Sequence, residues 1–270
     1  MPLSVLTKIR FVCSMPRSGS TLLCNLLAQN PRFYAGHTSG LIDVLFNLRN
    51  HWEGINEHKA HPMPESKKNV LKAAMAAYYQ HLDKDIIFDK SRGWWPYLEL
   101  TEEILGKKAK LLVNVRPIPD ICASFEKLHR LTSKQKQPPG ERGSNYYKMQ
   151  TIEGRVDFWL RNDQTIGISL NRLNDAIHRG YKDRMHFIHY DKFTQQPKET
   201  MKAVYDFLEE PFYDHNYDYV EQVSSEDDAI HGYVDLHKIS NKIEYRPSDA
   251  AKILGPEVMK KFTQTKNSPI

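Results

Sequence analysis

The chain has 270 residues, 40% of them hydrophobic and 26% charged, with a formal net charge of +5. That balance supports a buried core and excludes wholesale disorder; the mild basicity suits an anionic ligand but lacks the dense basic stripe of a nucleic-acid binder, so no nucleic-acid partner is expected. No run approaches the ~18 apolar residues of a membrane helix, and the N-terminus passes into a core-like strand with no signal peptide, so a cytoplasmic location without a membrane partner is expected.

In chain order, Ile9 to Cys13 is a short apolar run that reads as a buried strand, followed by a small-residue turn from Pro16 to Ser20. Thr21 to Gln29 reads as a helix with Leu22, Leu23, Leu26 and Leu27 on one face, stopped by Asn30-Pro31. Helices are expected over Gly40 to Asn50 and, after Pro64, over Glu65 to Leu82. Asp85 to Asp89 is a strand, Trp95 to Leu105 a helix closed by Gly106, Ala109 to Val115 a strand, and Pro119 to Leu131 the next helix. Ser133 to Met149 holds prolines, glycines and lysines with little to bury and reads as a mobile loop or lid, or equally as a featureless surface insertion. Thr151 to Arg179 reads as one long helix ended by Gly180, Met185 to Tyr190 as a strand, and Lys192 to Leu208 as a helix. Glu210 to Pro247 is irregular and rich in Asp, His and Tyr, and a short helix near Pro256 to Thr263 closes the chain.

Strands separated by helices predict an α/β fold: one domain over residues 1–270, with a central parallel sheet flanked by helices on both faces. Ligands in such sheets bind at the C-terminal ends of the strands, here just after Cys13, Asp89 and Val115. Cys13, Cys24 and Cys122 have no metal-ligand spacing and read as free thiols.

After the first strand comes Ser14-Met15-Pro16-Arg17-Ser18-Gly19-Ser20-Thr21-Leu22. A strand, a tight turn and a helix N-terminus together make an anion site, because the first helical N–H groups lack internal partners and the helix dipole favours negative charge. Gly19 permits close backbone approach, Ser18, Ser20 and Thr21 add hydroxyl donors, and Arg17 adds a forked positive charge. This is not the nucleotide-triphosphate pattern G-x-x-x-x-G-K-[ST]: the first Gly and the Lys are missing, and the hydroxyl pair has no obvious acidic partner for magnesium. The bland alternative is a capped helix with a surface arginine.

Pro16 to Leu23 resembles the 5'-phosphosulfate loop of sulfotransferases that use PAPS (3'-phosphoadenosine 5'-phosphosulfate), and Pro-Arg-Ser-Gly is similar to its form in the bacterial and tyrosylprotein branch. A second element of that family, a strand ending in Arg with Ser eight residues later, is matched by Arg116 and Ser124. Softer matches are Phe88-Asp89-Lys90-Ser91-Arg92 and the stretch from His189-Tyr190-Asp191 through Pro197 to Phe207-Leu208. The resemblance spans roughly residues 9 to 210 and implies a P-loop-like sulfotransferase fold.

It also implies transfer of the sulfuryl group of PAPS to a hydroxyl or amine acceptor, with release of PAP and no metal. Arg17 to Leu22 would hold the 5'-phosphosulfate, and Arg116 with Ser124 the 3'-phosphate. Lys90, with Arg92 second, would stabilise the leaving oxygen, and Lys238 would close over the 3'-phosphate, although the family's Arg-Lys-Gly triplet is absent. The acidic pair of tyrosylprotein enzymes is replaced by His37-Thr38, so His37 is the expected base, with Asp43 and Asp89 as alternatives. Trp94, Trp95 and Phe193 are candidates to stack on adenine. A P-loop kinase or NTPase, and a PAP-binding module without turnover, are the competing readings. Acceptor and oligomeric state are not legible.

Overall fold

A computed structural model describes residues 4–141 and 145–264. Helix α1 (Ser4–Lys8) leads into β1 (Ile9–Val12), α2 (Ser20–Leu27) and β2 (Phe33–Thr38). Helices α3 (Leu41–Gly54), α4 (Asn56–Ala60) and α5 (Pro64–Tyr78) follow, then β3 (Ile86–Lys90), a 3-10 turn at Trp95–Tyr97 and α6 (Leu98–Leu105). Next come β4 (Leu111–Val115), α7 (Ile118–Thr132), α8 (Ile152–Leu160), α9 (Thr165–His178) and β5 (Met185–His189). Helices α10 (Tyr190–Gln195) and α11 (Pro197–Leu208), a long irregular stretch, then α12 (Ala250–Leu254) and α13 (Pro256–Gln264) complete the order.

The strands form a parallel sheet in the order β2-β3-β1-β4-β5. Both faces are covered, and the strand residues divide between two cores with the period of two that a pleated strand imposes. Phe11, Cys13, Leu111, Val113 and Val115 face one core with Trp94, Trp95 and Ile121. Val12, Phe88, Leu112 and Ile188 face the other with Leu23, Leu26, Phe193 and Tyr205. This is the α/β arrangement expected from the sequence. The chain order reverses at β1, which lies between β3 and β4, so the crevice at the C-terminal ends of these three strands is where a ligand belongs in such a sheet. The three cysteines are free and buried. Among the described residues no helix is long and apolar enough to cross a membrane.

Four local expectations change. The helix read over 151–179 is two, because the chain turns extended at Arg161 (φ −59°, ψ 148°). Gly167 lets α9 close on that turn: a Cβ there would stand 2.2 Å from the Arg161 carbonyl oxygen. The helix read over 192–208 is broken at Pro197, whose predecessor Gln196 is forced out of the helical region (φ −134°, ψ 63°). Edge strand β2 falls on residues 33–38, for which the sequence suggests no element; its register against β3 shifts between Ala35 and Thr38. The stretch read as a lid, Ser133 to Met149, includes residues 142–144, which lie outside the described residues. Its described parts do not line the central cavity: Pro139 instead lies 2.7 Å from where a Cβ on Gly232 would be.

Residues 210–249 are irregular, as expected from their composition, but they are not loose. Asn25 Oδ1 accepts the Val223 N–H at 2.7 Å, and Gln29 bonds the Asn216 N–H (2.8 Å) and carbonyl (3.0 Å). Gln222 Oε1 accepts from Ile239 N–H, Thr132 Oγ1 from Val234 N–H, and the Val220 N–H donates to Asn241. These bonds satisfy backbone groups that a helix or strand would otherwise pair, and they lay the segment across the C-terminal edge of the sheet.

Candidate active site

The turn after β1 is built on β4. The Met15 N–H donates to the Asn114 carbonyl at 2.9 Å, Ser14 Oγ lies 2.9 Å from Asn114 Oδ1, and Ser18 Oγ lies 2.5 Å from the Met15 carbonyl and 3.0 Å from that of Asn114. Ser18 is fully buried, so its hydroxyl pins the turn rather than facing the cavity. Arg17 and Gly19 both have left-handed backbones, at φ 57° and 91°. Gly19 is the residue before α2 and has no side chain to cap it, so the first helical N–H groups are left for a ligand. A Cβ on Gly19 would come within 2.9 Å of the Tyr190 ring. The position therefore requires glycine both for its dihedral and for its neighbour.

Across that ring sits Arg116, its guanidinium 4.3 Å from the Tyr190 centroid, donating at 3.3 Å to the Arg17 carbonyl. Arg17 reaches toward the same end of β4: its Nε donates to Ser124 Oγ at 3.1 Å and one terminal nitrogen donates to the Leu236 carbonyl. The fold thus joins Arg17 to Arg116 and Ser124, which lie 99 and 107 residues further along the sequence, and Arg17 points to the partner expected for the 3'-phosphate. No carboxylate lies within ion-pair distance of either arginine among the described residues, and Arg116 Nε is buried without a partner. Burial, and then the neighbouring charge of Arg116, lowers the pKa of Arg17. Two adjacent cations on a helix N-terminus with an unfilled donor make a site for an anion.

Parallel pairing puts Lys90 beside Val12, at the opposite side of the same turn. Its ammonium, 7% exposed, lies 3.2 Å from Glu226 Oε1. That oxygen also accepts from the Thr38 N–H (3.0 Å) and Oγ1 (3.3 Å). Burial alone would raise the Glu226 pKa; Lys90 and the Thr38 N–H outweigh it and hold the carboxyl below its usual range. Asp89 is fully buried and accepts from Ser39 Oγ, Tyr79 OH and Trp94 Nε1 at 2.6–2.7 Å, which ties β3 to its surroundings and leaves the carboxylate away from any substrate.

These groups surround a cavity of about 500 Å³. Arg17, Gly19, Ser20, Thr21 and Leu22 line one wall, with Arg116 and Ser124 beside them and Lys90, Ser91 and Arg92 at the β3 end. The irregular segment forms the other wall with His231, Tyr233, His237, Lys238 and Lys242. Lys238 lies 3.2 Å from Asp235 and is largely in solvent.

His37 is not brought to this cavity: it is exposed, bonds the Thr38 carbonyl at 3.0 Å, and lines a separate hollow with Val223 to Ser225. Asp43 is exposed on α3 and does not line the cavity. Trp94, Trp95 and Phe193 are fully buried core residues; the aromatic rings that do face the cavity are Phe125, Tyr190 and Tyr233. Sequence reasoning missed Glu226, Asp228 and His231, whose only signal was the density of Asp, His and Tyr after Glu210; His237 stands out in the sequence only as the head of the basic stretch that carries Lys238. It also missed Asn114, which reads simply as a polar residue in a buried strand.

The model of a sulfotransferase family matches residues 11–214. No curated protein matches the sequence. Among solved structures, a mouse sulfotransferase, SULT7A1, complexed with PAP superposes with a TM-score of 0.57 at 11% identity, covering 99% of this chain and 90% of that one. The sulfotransferase domain from the curacin biosynthetic pathway gives 0.49 at 17% identity, covering 97% and 92%. At such identities the mouse likeness supports the fold alone. The family match, in contrast, takes in the anion loop, Lys90, Arg116 and Ser124 within one continuous span covering most of the sequence, and on that match the chain belongs to the sulfotransferase family.

Proposed function

We propose that the chain transfers the sulfuryl group of PAPS to a hydroxyl or amine acceptor by in-line displacement, releasing PAP. The observation that carries the reading is the Arg17–Arg116 pair: two arginines with no carboxylate in ion-pair distance among the described residues, one with a buried unfilled Nε, beside the open N-terminus of α2. That arrangement suits a ligand with a phosphate at each end. The N–H groups and hydroxyls of Ser20 and Thr21 would hold the 5'-phosphosulfate, and Arg116 with Ser124 the 3'-phosphate, Arg17 lying between them. Lys90 would supply the cation that charge on the leaving oxygen needs, with Arg92 second, and Lys238 would close over the 3'-phosphate; all three line the cavity. A mouse sulfotransferase of this fold in complex with PAP is in keeping with the assignment.

Calorimetric titration with PAP, beside ATP plus magnesium, tests it. Tight PAP binding with little response to ATP is the expected result. A preference for ATP and magnesium would replace the reading with a kinase-like one.

A further inference from the structure

Sulfuryl transfer to a hydroxyl leaves a proton that some group must take, and the carboxylates and histidine expected for that task lie elsewhere: Asp89 is saturated with donors, and neither Asp43 nor His37 lines the cavity. Among the described residues three titratable groups of the irregular segment meet near Lys90: Glu226, His237 and the exposed His231, which no carboxylate grips. Glu226 is the first, but its Oε1 is engaged by Lys90 and Thr38, and its depressed pKa makes it a counter-ion rather than a proton acceptor. His237 is the second. Asp228 grips it twice: Oδ2 accepts the His237 backbone N–H at 3.0 Å, and Oδ1 lies 2.6 Å from ring Nδ1. A carboxylate at Nδ1 keeps the proton there and leaves the Nε2 lone pair free. Nε2 has no hydrogen-bond partner among the described residues, and His237 lines the cavity.

We propose that His237 Nε2, oriented by Asp228, is the proton acceptor for the attacking group in sulfuryl transfer. The inference rests on the sulfotransfer reading of this cavity. The acceptor oxygen forms a bond to sulfur as the bond from sulfur to the bridging oxygen of the 5'-phosphate breaks. That oxygen leaves with the electron pair, and the acceptor's proton moves to Nε2 and then to solvent. The charged and titratable groups facing His237 are Asp228, Glu226, Lys90 and, with ring centroids 5.7 Å apart, His231. Burial lowers the His237 pKa more than Asp228 and Glu226 raise it, so the imidazole is neutral and receptive at pH 7. Asp228 acts through His237 and is a positioning residue. The base would then come from a segment beyond the 11–214 family match.

The test uses water as the probe acceptor: release of labelled sulfate from PAPS by the full chain, with EDTA present so that no stray cation carries the rate. Wild type should release sulfate faster than buffer, with a rate that falls on acidification below the usual histidine range. His237→Gln should reduce the rate by ~100-fold or more, the usual contribution of a positioned base, with PAP affinity by calorimetry unchanged. Asp228→Asn should reduce it less. Added imidazole should restore His237→Gly, which a merely structural role would not allow. A wild-type rate in His237→Gln would overturn the assignment, as would a wild-type protein that binds PAP but releases sulfate no faster than buffer. Failure of wild type to bind PAP would instead remove the sulfotransfer reading beneath it.

Discussion

The two walls of the cavity are held in place by different means. The anion loop, Ser14 to Thr21, is fixed by its neighbours in the sheet: backbone bonds to β4, a buried serine pin and two left-handed residues leave it one conformation. The facing segment, 210–249, has no helix or strand and is held by side chains that reach across from α2 and α7 and from its own length. The first wall carries the fixed cations that suit a phosphate, and the second carries the groups that titrate. A grip on a constant ligand benefits from a rigid, locally built frame. Residues on an irregular segment can differ without disturbing the sheet, which is where variable chemistry is tolerated.

That contrast can be broken or sharpened by experiment. The largest effect expected is on the segment's response to acid. His215, buried against Tyr205, has its pKa lowered to about 4 by burial. The unfolded chain binds this proton near pH 6.5 and the folded chain only near 4, so stability is lost as pH falls through that window, by up to about 3 kcal/mol from this group. Melting temperatures across pH 7 to 4 should show the slope, and His215→Gln should flatten it; an unchanged slope would place the acid sensitivity elsewhere. Next, Arg17→Ala and Arg116→Ala should each weaken PAP binding by ~1.5–3 kcal/mol, the cost of a lost charge-assisted bond, while leaving the melting temperature nearly constant. Unchanged affinity in both would sink the donor-site assignment.

Smaller effects should come from the ties between the walls. Asn25 bonds Val223 N–H and the Thr21 carbonyl, so Asn25→Ala should cost about 1–2 kcal/mol and speed proteolysis within 214–240. Equal proteolysis rates would mean the segment is anchored by something other than α2. Gln29→Ala, whose bonds to Asn216 are exposed, should cost only ~0.5–1 kcal/mol in the same assay.

Much of the first wall was legible in the sequence. A hydrophobic run, small residues and an apolar helix face specify a strand, a turn and a helix, whereas Arg116 and Ser124 stand out only through the resemblance to the sulfotransferase family. Ser18 reads from the sequence as a hydroxyl donor to the anion, and only its bonds to the Met15 and Asn114 carbonyls make it an internal pin. His37 is placed near the chemistry only by the resemblance, standing where tyrosylprotein sulfotransferases carry their acidic pair. Edge strand β2 carries it instead to the outer surface, because Thr38 turns its N–H to Glu226 and His37 faces the other way.

The sequence by itself determined the periodicity of the elements, and so the parallel sheet with covered faces, because a buried strand and an amphipathic helix each leave a local pattern. It also determined the anion loop, whose residues are adjacent in the chain. What only the tertiary structure decided is which residues meet across the cavity. Lys90 with Glu226, Arg17 with Ser124, and His237 near them both are pairings over about 100 residues or more. No local pattern encodes such meetings; they follow from the order of the strands and from side-chain bonds that fold one irregular segment back over the sheet.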